Sequence, residues 1–137
     1  MSEEKAKKQG KPKVLLVEDD TFLSGMYVTK LGLENFAVSL ASDGKQGLKM
    51  IKDELPDLIL LDLVLPKISG FDILKEIKKD KKTKDIPVIL LTNLGQKKDV
   101  EKGFALGAND YLIKAHFMPS EVVDKVKNMM NKKYAGE

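Results

Sequence analysis

Pro56-Asp57-Leu58-Ile59-Leu60-Leu61-Asp62-Leu63-Val64-Leu65-Pro66 is the stretch on which the fold turns. Leu58 to Leu61 is an unbroken branched apolar run, too short for a buried helix, and it reads as a strand covered on both faces. The run ends on Asp62, and Pro66 keeps the strand from simply continuing. In open α/β sheets the chemistry lies beyond the carboxyl ends of the strands, so Asp62 stands where a functional carboxylate belongs.

Outward from this strand the chain alternates. Lys13 to Val17 is a short apolar strand running into Glu18-Asp19-Asp20. A helix follows with Leu23, Met26, Tyr27 and Leu31 at helical spacing, and Asp20 or Thr21 is available as its cap. Ala37 to Leu40 is a weaker strand. Ser42-Asp43-Gly44 then turns into a helix striped by Leu48, Ile51 and Leu55. Beyond Asp62, Ser69-Gly70 opens a helix carrying Phe71, Ile73, Leu74 and Ile77, and Pro87 to Thr92 is a fourth strand. Val100 and Phe104 mark a short, weakly amphipathic helix closed by Gly107, and Asp110 to Lys114 is a fifth strand. The last helix starts near Pro119 and is expected to bury Val122, Val126, Met129 and Met130.

Strands alternating with helices imply a doubly wound five-stranded parallel sheet with helices on both faces, because a parallel crossover needs a helix to return. The 137 residues suit one domain. We expect residues 1–12, with Lys5, Lys7, Lys8 and Lys11, to be a flexible solvated tail, 13–133 the folded domain and 134–137 a flexible end. The absence of cysteine removes disulfides and thiolate metal sites, and fits a reducing compartment. No apolar run reaches the length of a membrane span, so a cytoplasmic domain is expected. A net charge of +3 and the lack of a DNA-binding motif argue against nucleic acid binding by this chain alone.

In a parallel sheet, Glu18-Asp19, Asp62, Thr92 and Lys114 share one edge. Carboxylates from Glu18, Asp19 and Asp62 brought within several ångströms repel one another and favour a divalent cation. A few hard oxygens without histidine or cysteine suit Mg²⁺ with retained waters. Lys114 adds a point charge and Thr92 a hydroxyl, both matched to a phosphoryl group in transfer. Asp62 is central among the acids and is the natural acyl-phosphate acceptor.

The acid cluster Val17-Glu18-Asp19-Asp20, the strand end Leu61-Asp62-Leu63-Val64-Leu65-Pro66, Leu91-Thr92 and Ile113-Lys114 together resemble the receiver domain of two-component response regulators. The resemblance covers residues 13–133 and rests on all four motifs in order. It implies the flavodoxin-like strand order 2-1-3-4-5, which places Asp19 beside Asp62 at the switch point between strands one and three. It further implies that Asp62 takes a phosphoryl group from a sensor histidine kinase, a histidine phosphotransferase or a small phosphodonor. Asp19 and Asp62 would hold Mg²⁺ through carboxylates, Glu18 through a water and Val64 through its backbone carbonyl. Lys114 would pair with Asp62 and then with the phosphoryl oxygens, Thr92 would swing toward that group, and Tyr111 would rotate inward behind it. The face made by the fourth helix, fifth strand and fifth helix would change in consequence. Such a chain catalyses its own phosphorylation and dephosphorylation, without turnover of an external substrate.

Three departures from the family pattern carry expectations. Lys114 is followed by Ala115 where proline is common. A cis bond to a non-proline residue costs ~2.5–4 kcal/mol, so either a trans bond with a rearranged loop or a strained cis bond is expected. Asn93, larger than the usual residue after Thr92, would narrow access to Asp62 or touch a donor. Val64 and Leu94, two beyond Asp62 and Thr92, cannot orient an attacking water, which implies slow self-dephosphorylation. His116 is read as a surface residue, the lysines from Lys78 to Lys84 as a solvated helix end, and Asp20 as a cap. Donor specificity is expected on the first helix and the following loops, near Phe22, Met26 and Lys30.

Two other readings use the same residues. A haloacid-dehalogenase-like phosphatase also uses a strand-end aspartate, but needs an acid where Val64 stands. A pseudo-receiver acting as a phosphorylation-independent interaction module is expected to lack an acid, the hydroxyl or the lysine, and all are present. The downstream protein target is not named by the sequence. A receiver without a second domain is expected to dock a partner, to pass its phosphoryl group on, or to be a piece of a longer regulator.

Overall fold

A computed structural model of the chain describes residues 10–135, with backbone alone for 133–135. Positions 1–9 of the expected tail and 136–137 of the expected end lie outside the described residues. The strands are β1 (Lys13–Val17), β2 (Ala37–Ala41), β3 (Leu58–Leu61), β4 (Val88–Thr92) and β5 (Asp110–Ile113). The helices are α1 (Thr21–Leu33), α2 (Gly44–Glu54), α3 (Gly70–Lys79), α4 (Lys97–Ala105) and α5 (Pro119–Ala135). All strand pairs are parallel and the order is β2-β1-β3-β4-β5, as the family resemblance implies. The final helix runs two residues beyond the expected domain end at 133.

The central strands are apolar throughout because both of their faces are covered. Alternate side chains divide between two cores. Val14, Leu16, Leu58, Leu60, Ile89, Leu91 and Leu112 pack with Tyr27 and Leu31 of α1 and with Val122, Val126 and Met130 of α5. Leu15, Val17, Ile59, Leu61, Val88 and Leu90 pack with Ile51 of α2 and with Ile73, Leu74 and Ile77 of α3. Each fully buried branched side chain contributes on the order of 1.5–3 kcal/mol, so β3, buried along its whole length, anchors the sheet beneath Asp62.

Short polar side chains start the first three helices. The carboxylates of Asp20 and Asp43 accept from the Leu23 and Gln46 N–H groups, and the Ser69 hydroxyl accepts from Asp72 N–H. After α3, the buried Thr83 hydroxyl donates to the Ile77 carbonyl at 2.7 Å, satisfying a backbone group near the helix end.

Several details differ from the sequence expectation. Leu55 ends α2 as its cap in the left-handed region (φ 48) rather than lying on the helical stripe, and Gly44 and Gly47 join Ile51 on the buried face. In α4 the buried residue is Gly103, while Phe104, expected on the apolar face, is 46% exposed. Met129 is partly buried, and Val123 takes its place in the core. Strand β5 stops at Ile113, and Lys114 opens a 3₁₀ turn through His116. No peptide bond among the described residues is cis. The trans alternative for Lys114-Ala115 is therefore the observed one, with the turn closed by Phe117 N–H donating to the Lys114 carbonyl at 3.3 Å.

Candidate functional site

Register brings the strand-end residues together. Val17 lies beside Leu61, and Asp62 N–H donates to the Val17 carbonyl at 3.1 Å, so Glu18 and Asp62 emerge from neighbouring strands. Thr92 lies beside Ile113, which sets Lys114 one step beyond it on the same edge. Glu18, Asp19 and Asp62 each bring a carboxylate oxygen to one point, all within 4.8 Å of one another. Glu18 and Asp62 are buried, at 2% and 6% exposure, whereas Asp19 faces solvent. The trio thus has one open side.

The Lys114 ammonium bridges the two buried acids. Its Nζ lies 2.8 Å from Asp62 Oδ2 and 2.6 Å from Glu18 Oε1. The first contact is an aligned hydrogen bond; the second is a close ion pair off the hydrogen-bond direction, and Glu18 Oε1 has no aligned donor. Glu18 Oε2 accepts from Asp20 N–H at 2.9 Å, and Asp62 Oδ1 accepts from Val64 N–H at 3.2 Å. Burial raises the Glu18 carboxyl above its ordinary range, against the pull of Lys114 and the Asp20 N–H, and the Asp62 charge pushes the same way. Burial alone would lower the Lys114 ammonium, but the hydrogen bond to Asp62 and the close contact with Glu18, with the charges of both, hold it raised.

A buried carboxylate oxygen without an aligned donor, grouped with two further hard oxygens and a solvent-open side, fits a small divalent cation. Val64 contributes its N–H to Asp62 here, and the residue is 60% exposed. Thr92 is fully buried, and its Oγ1 faces the Leu94 N–H at 3.4 Å rather than Asp62. Asn93 is exposed, as is His116, in agreement with the surface reading of that histidine.

Tyr111 lies behind the edge. Its hydroxyl donates to the Leu94 carbonyl at 2.6 Å, and its ring centroid is 6.4 Å from that of Phe104 with a 41° tilt. Burial pushes its phenol up to about 12, with Asp99 and Asp62 adding to the effect. A tyrosine in an unfolded chain ionises near ~10. The fold therefore favours the neutral phenol, and the stability this supports is intact below ~pH 10 and lost as pH climbs from there toward 12. Urea midpoints measured across that window are expected to fall less steeply for Tyr111→Phe than for the parent. Equal slopes would mean that Tyr111 ionises freely.

The sequence reading missed what surrounds these side chains. Gly70 sits against the backbone of Asp62 and Leu63, where a Cβ would lie 2.1 Å from the Asp62 carbonyl oxygen. Tyr27, read as a core residue of α1, is also close enough to the cluster to feel Lys114, Glu18 and Asp62, and burial raises its phenol. Apolar periodicity carries no trace of a close backbone approach; the one signal in the sequence was a glycine at the first position of α3.

Comparison with known proteins gives concordant findings. The family model described as "Response regulator receiver domain" matches residues 14–127. RpaA of Synechocystis, described as a DNA-binding dual master transcriptional regulator, is 38% identical over 121 residues, 88% of this chain and 50% of its own length. The transcriptional regulatory protein CpxR of Klebsiella pneumoniae is 39% identical over 125 residues, 91% of this chain and 52% of its own. The chain spans about half the length of these curated relatives. Among solved structures, the receiver domain of Francisella response regulator 1452 superposes with a TM-score of 0.81 at 31% identity, covering 90% of this chain and 98% of that one. The CheY-like receiver domain protein of Methanospirillum hungatei gives a TM-score of 0.85 at 23% identity, covering 93% of this chain and all of its own, which shows the shared fold.

Proposed function

The chain belongs to the response regulator receiver domain family, and from that premise we propose that Asp62 is its phosphoacceptor, switching a partner-binding face in response to a histidine-linked donor. The observation that carries this reading is the Lys114 ammonium held between Asp62 and Glu18 inside a three-carboxylate cluster. Asp19 and Asp62 through carboxylates, Glu18 through a water and Val64 through its carbonyl would hold Mg²⁺, which would supply positive charge toward the oxygens of a phosphoryl group. An Asp62 carboxylate oxygen attacks phosphorus in line, the P–N bond to the donor imidazole breaks, and a proton from solvent satisfies the departing nitrogen. Lys114 trades part of its contact with Asp62 for the incoming phosphoryl oxygens, and Thr92 turns its hydroxyl from Leu94 toward them. Because Asp19 is the exposed acid of the trio, the donor approaches from its side, past Phe22 of α1, which is 75% exposed.

Two populations of the α4–β5–α5 face, biased by the new charge, constitute the output. In a protein built like RpaA or CpxR, that face would relay the state of Asp62 to a DNA-binding region; the phosphotransfer role itself needs no DNA contact from this chain. The first test is intact mass after incubation with acetyl phosphate or phosphoramidate and Mg²⁺. One phosphoryl group added to the parent, and absent after chelation, is expected. No adduct with any donor would favour the phosphorylation-independent interaction module.

Val64 and Leu94 offer no side-chain hydrogen bond to a water attacking the acyl phosphate. We therefore expect the adduct to persist for minutes or longer in Mg²⁺. A lifetime of seconds would show that some other group orients the water.

A further inference from the structure

Helix α4 is seated on the sheet in an unusual way. Its buried residue is a glycine, its large apolar residue Phe104 is nearly half exposed, and its first turn has no side-chain cap. On the sheet side it rests on Tyr111 and Leu90, with Leu106 packed at its end. The ring of Phe104 leans on the Tyr111 ring, and the Tyr111 hydroxyl holds the Leu94 carbonyl in the loop that leads into the helix. Toward α3 the helix adds the Lys102 ammonium, 4.4 Å from the centroid of the Phe71 ring.

At Gly103 the helix backbone comes down onto this floor. A Cβ there would lie 2.7 Å from Leu90 Cδ1, 3.0 Å from Tyr111 Cδ2 and 3.2 Å from Tyr111 Cε2. The space a side chain would fill is occupied by the edge of the Tyr111 ring and the tip of Leu90. A Cβ there drives the Leu90 tip aside and makes the ring edge give by a few tenths of an ångström; because the ring is pinned at its far end by the 2.6 Å bond to the Leu94 carbonyl, that displacement falls on the bond.

We infer that Gly103 is a positioning residue for the relay between Asp62 and α4: by leaving its Cβ volume empty it lets Tyr111 lie beneath the helix and hold Leu94. The inference deepens the phosphoacceptor reading and rests on it for its regulatory meaning. Its structural content stands apart, because the ring, the loop and the helix are coupled whether or not Asp62 carries a phosphoryl group. With the ring in place, α4 and its preceding loop are tied to β5. With the ring displaced, the Leu94 carbonyl loses its donor and α4 loses its floor, so the helix opens more often.

The test compares the parent chain with Gly103→Ala and with Gly103→Ala combined with Leu90→Val. The double variant removes the severe contact with Leu90 and leaves the contact with Tyr111, so it also supplies a folded protein should the single variant be too overpacked. Two readouts are taken without any phosphodonor: ring resonances of isotope-labelled tyrosine, and amide hydrogen exchange across residues 94–105. In both variants the Tyr111 ring signals are expected to shift toward solvent-exposed values, with exchange in α4 at least roughly tenfold faster while α5 stays as in the parent. Tyr111 signals that stay in place would overturn the inference. So would a double variant that regains parental exchange, since the single variant would then merely be overpacked against Leu90. Phosphoryl uptake by the parent, read separately by mass, tests the underlying functional reading.

Discussion

Asp62→Asn is expected to abolish phosphoryl uptake and, at the same time, to make the fold more stable by about 1 kcal/mol. Loss of uptake follows because an amide oxygen is neutral and a poor nucleophile. The gain in stability follows from the electrostatics of the cluster. Asp62 is almost fully buried beside Glu18, whose own carboxyl is raised by burial, with the Asp62 charge adding to the effect. Removing one carboxylate removes a desolvation cost and a like-charge repulsion. It leaves no stranded cation, because Lys114 keeps Glu18 at 2.6 Å. The single amide oxygen introduced by the substitution can take over one of the two bonds, from Lys114 to Oδ2 or from the Val64 N–H to Oδ1, and that one lost acceptor offsets part of the gain. Thermal or urea unfolding without divalent cation reads this directly, and a lower midpoint for Asp62→Asn would show that the Lys114 pair outweighs the repulsion. Adding Mg²⁺ should raise the parent's midpoint and raise that of Asp62→Asn much less, since ligand binding to the native state stabilises by mass action.

Gly70→Ala is expected to cost about 3 kcal/mol or more and to impair phosphoryl uptake, although it touches no carboxylate side chain. A Cβ at position 70 would stand 2.1 Å from the Asp62 carbonyl oxygen and 2.6 Å from the Leu63 Cα. Both obstacles are backbone, so no rotamer change relieves them; either α3 retreats from the sheet or the segment carrying Asp62 shifts. The second route moves the acceptor relative to Lys114 and Glu18. Gly25→Ala is the control, being the same substitution inside α1 with nothing within 4 Å of the added carbon. There alanine's helix propensity is expected to raise stability by up to about 1 kcal/mol. The opposite signs separate contact from propensity, and a mild Gly70→Ala phenotype would mean that α3 moves away at little cost.

Much of the site was readable because its residues end strands. The apolar runs of β1, β3, β4 and β5 mark their own limits, and Glu18, Asp62, Thr92 and Lys114 stand at those limits or one residue beyond them. Parallel pairing then leaves them no edge but the same one. The helices were legible where apolar side chains face the sheet, as with Leu31, Ile51, Ile73 and Val126. Legibility failed where the buried surface is backbone. Gly44, Gly47, Gly70 and Gly103 all face inward, yet a glycine adds nothing to an apolar stripe, so α4 was expected to bury Phe104. Leu55 misled for a different reason: it continues the helical period of Leu48 and Ile51, but the chain has already turned left-handed there. The 3₁₀ turn after β5 likewise has no apolar signature, since it is made by Lys114, Ala115 and His116.

The sheet keeps its two cores apart. The side chains under α1 and α5 form one cluster and those under α2 and α3, with Tyr111 at its margin, form the other. Energetic effects of substitutions without shared contacts are close to additive. Lineages of such a chain can therefore drift in the α2 and α3 core without disturbing the contact of α1 with α5, whereas changes in α1 that alter which donor is admitted also reach α5, the far margin of the responding face. Recognition and response are thereby partly co-inherited, tied through the core beneath α1 and α5.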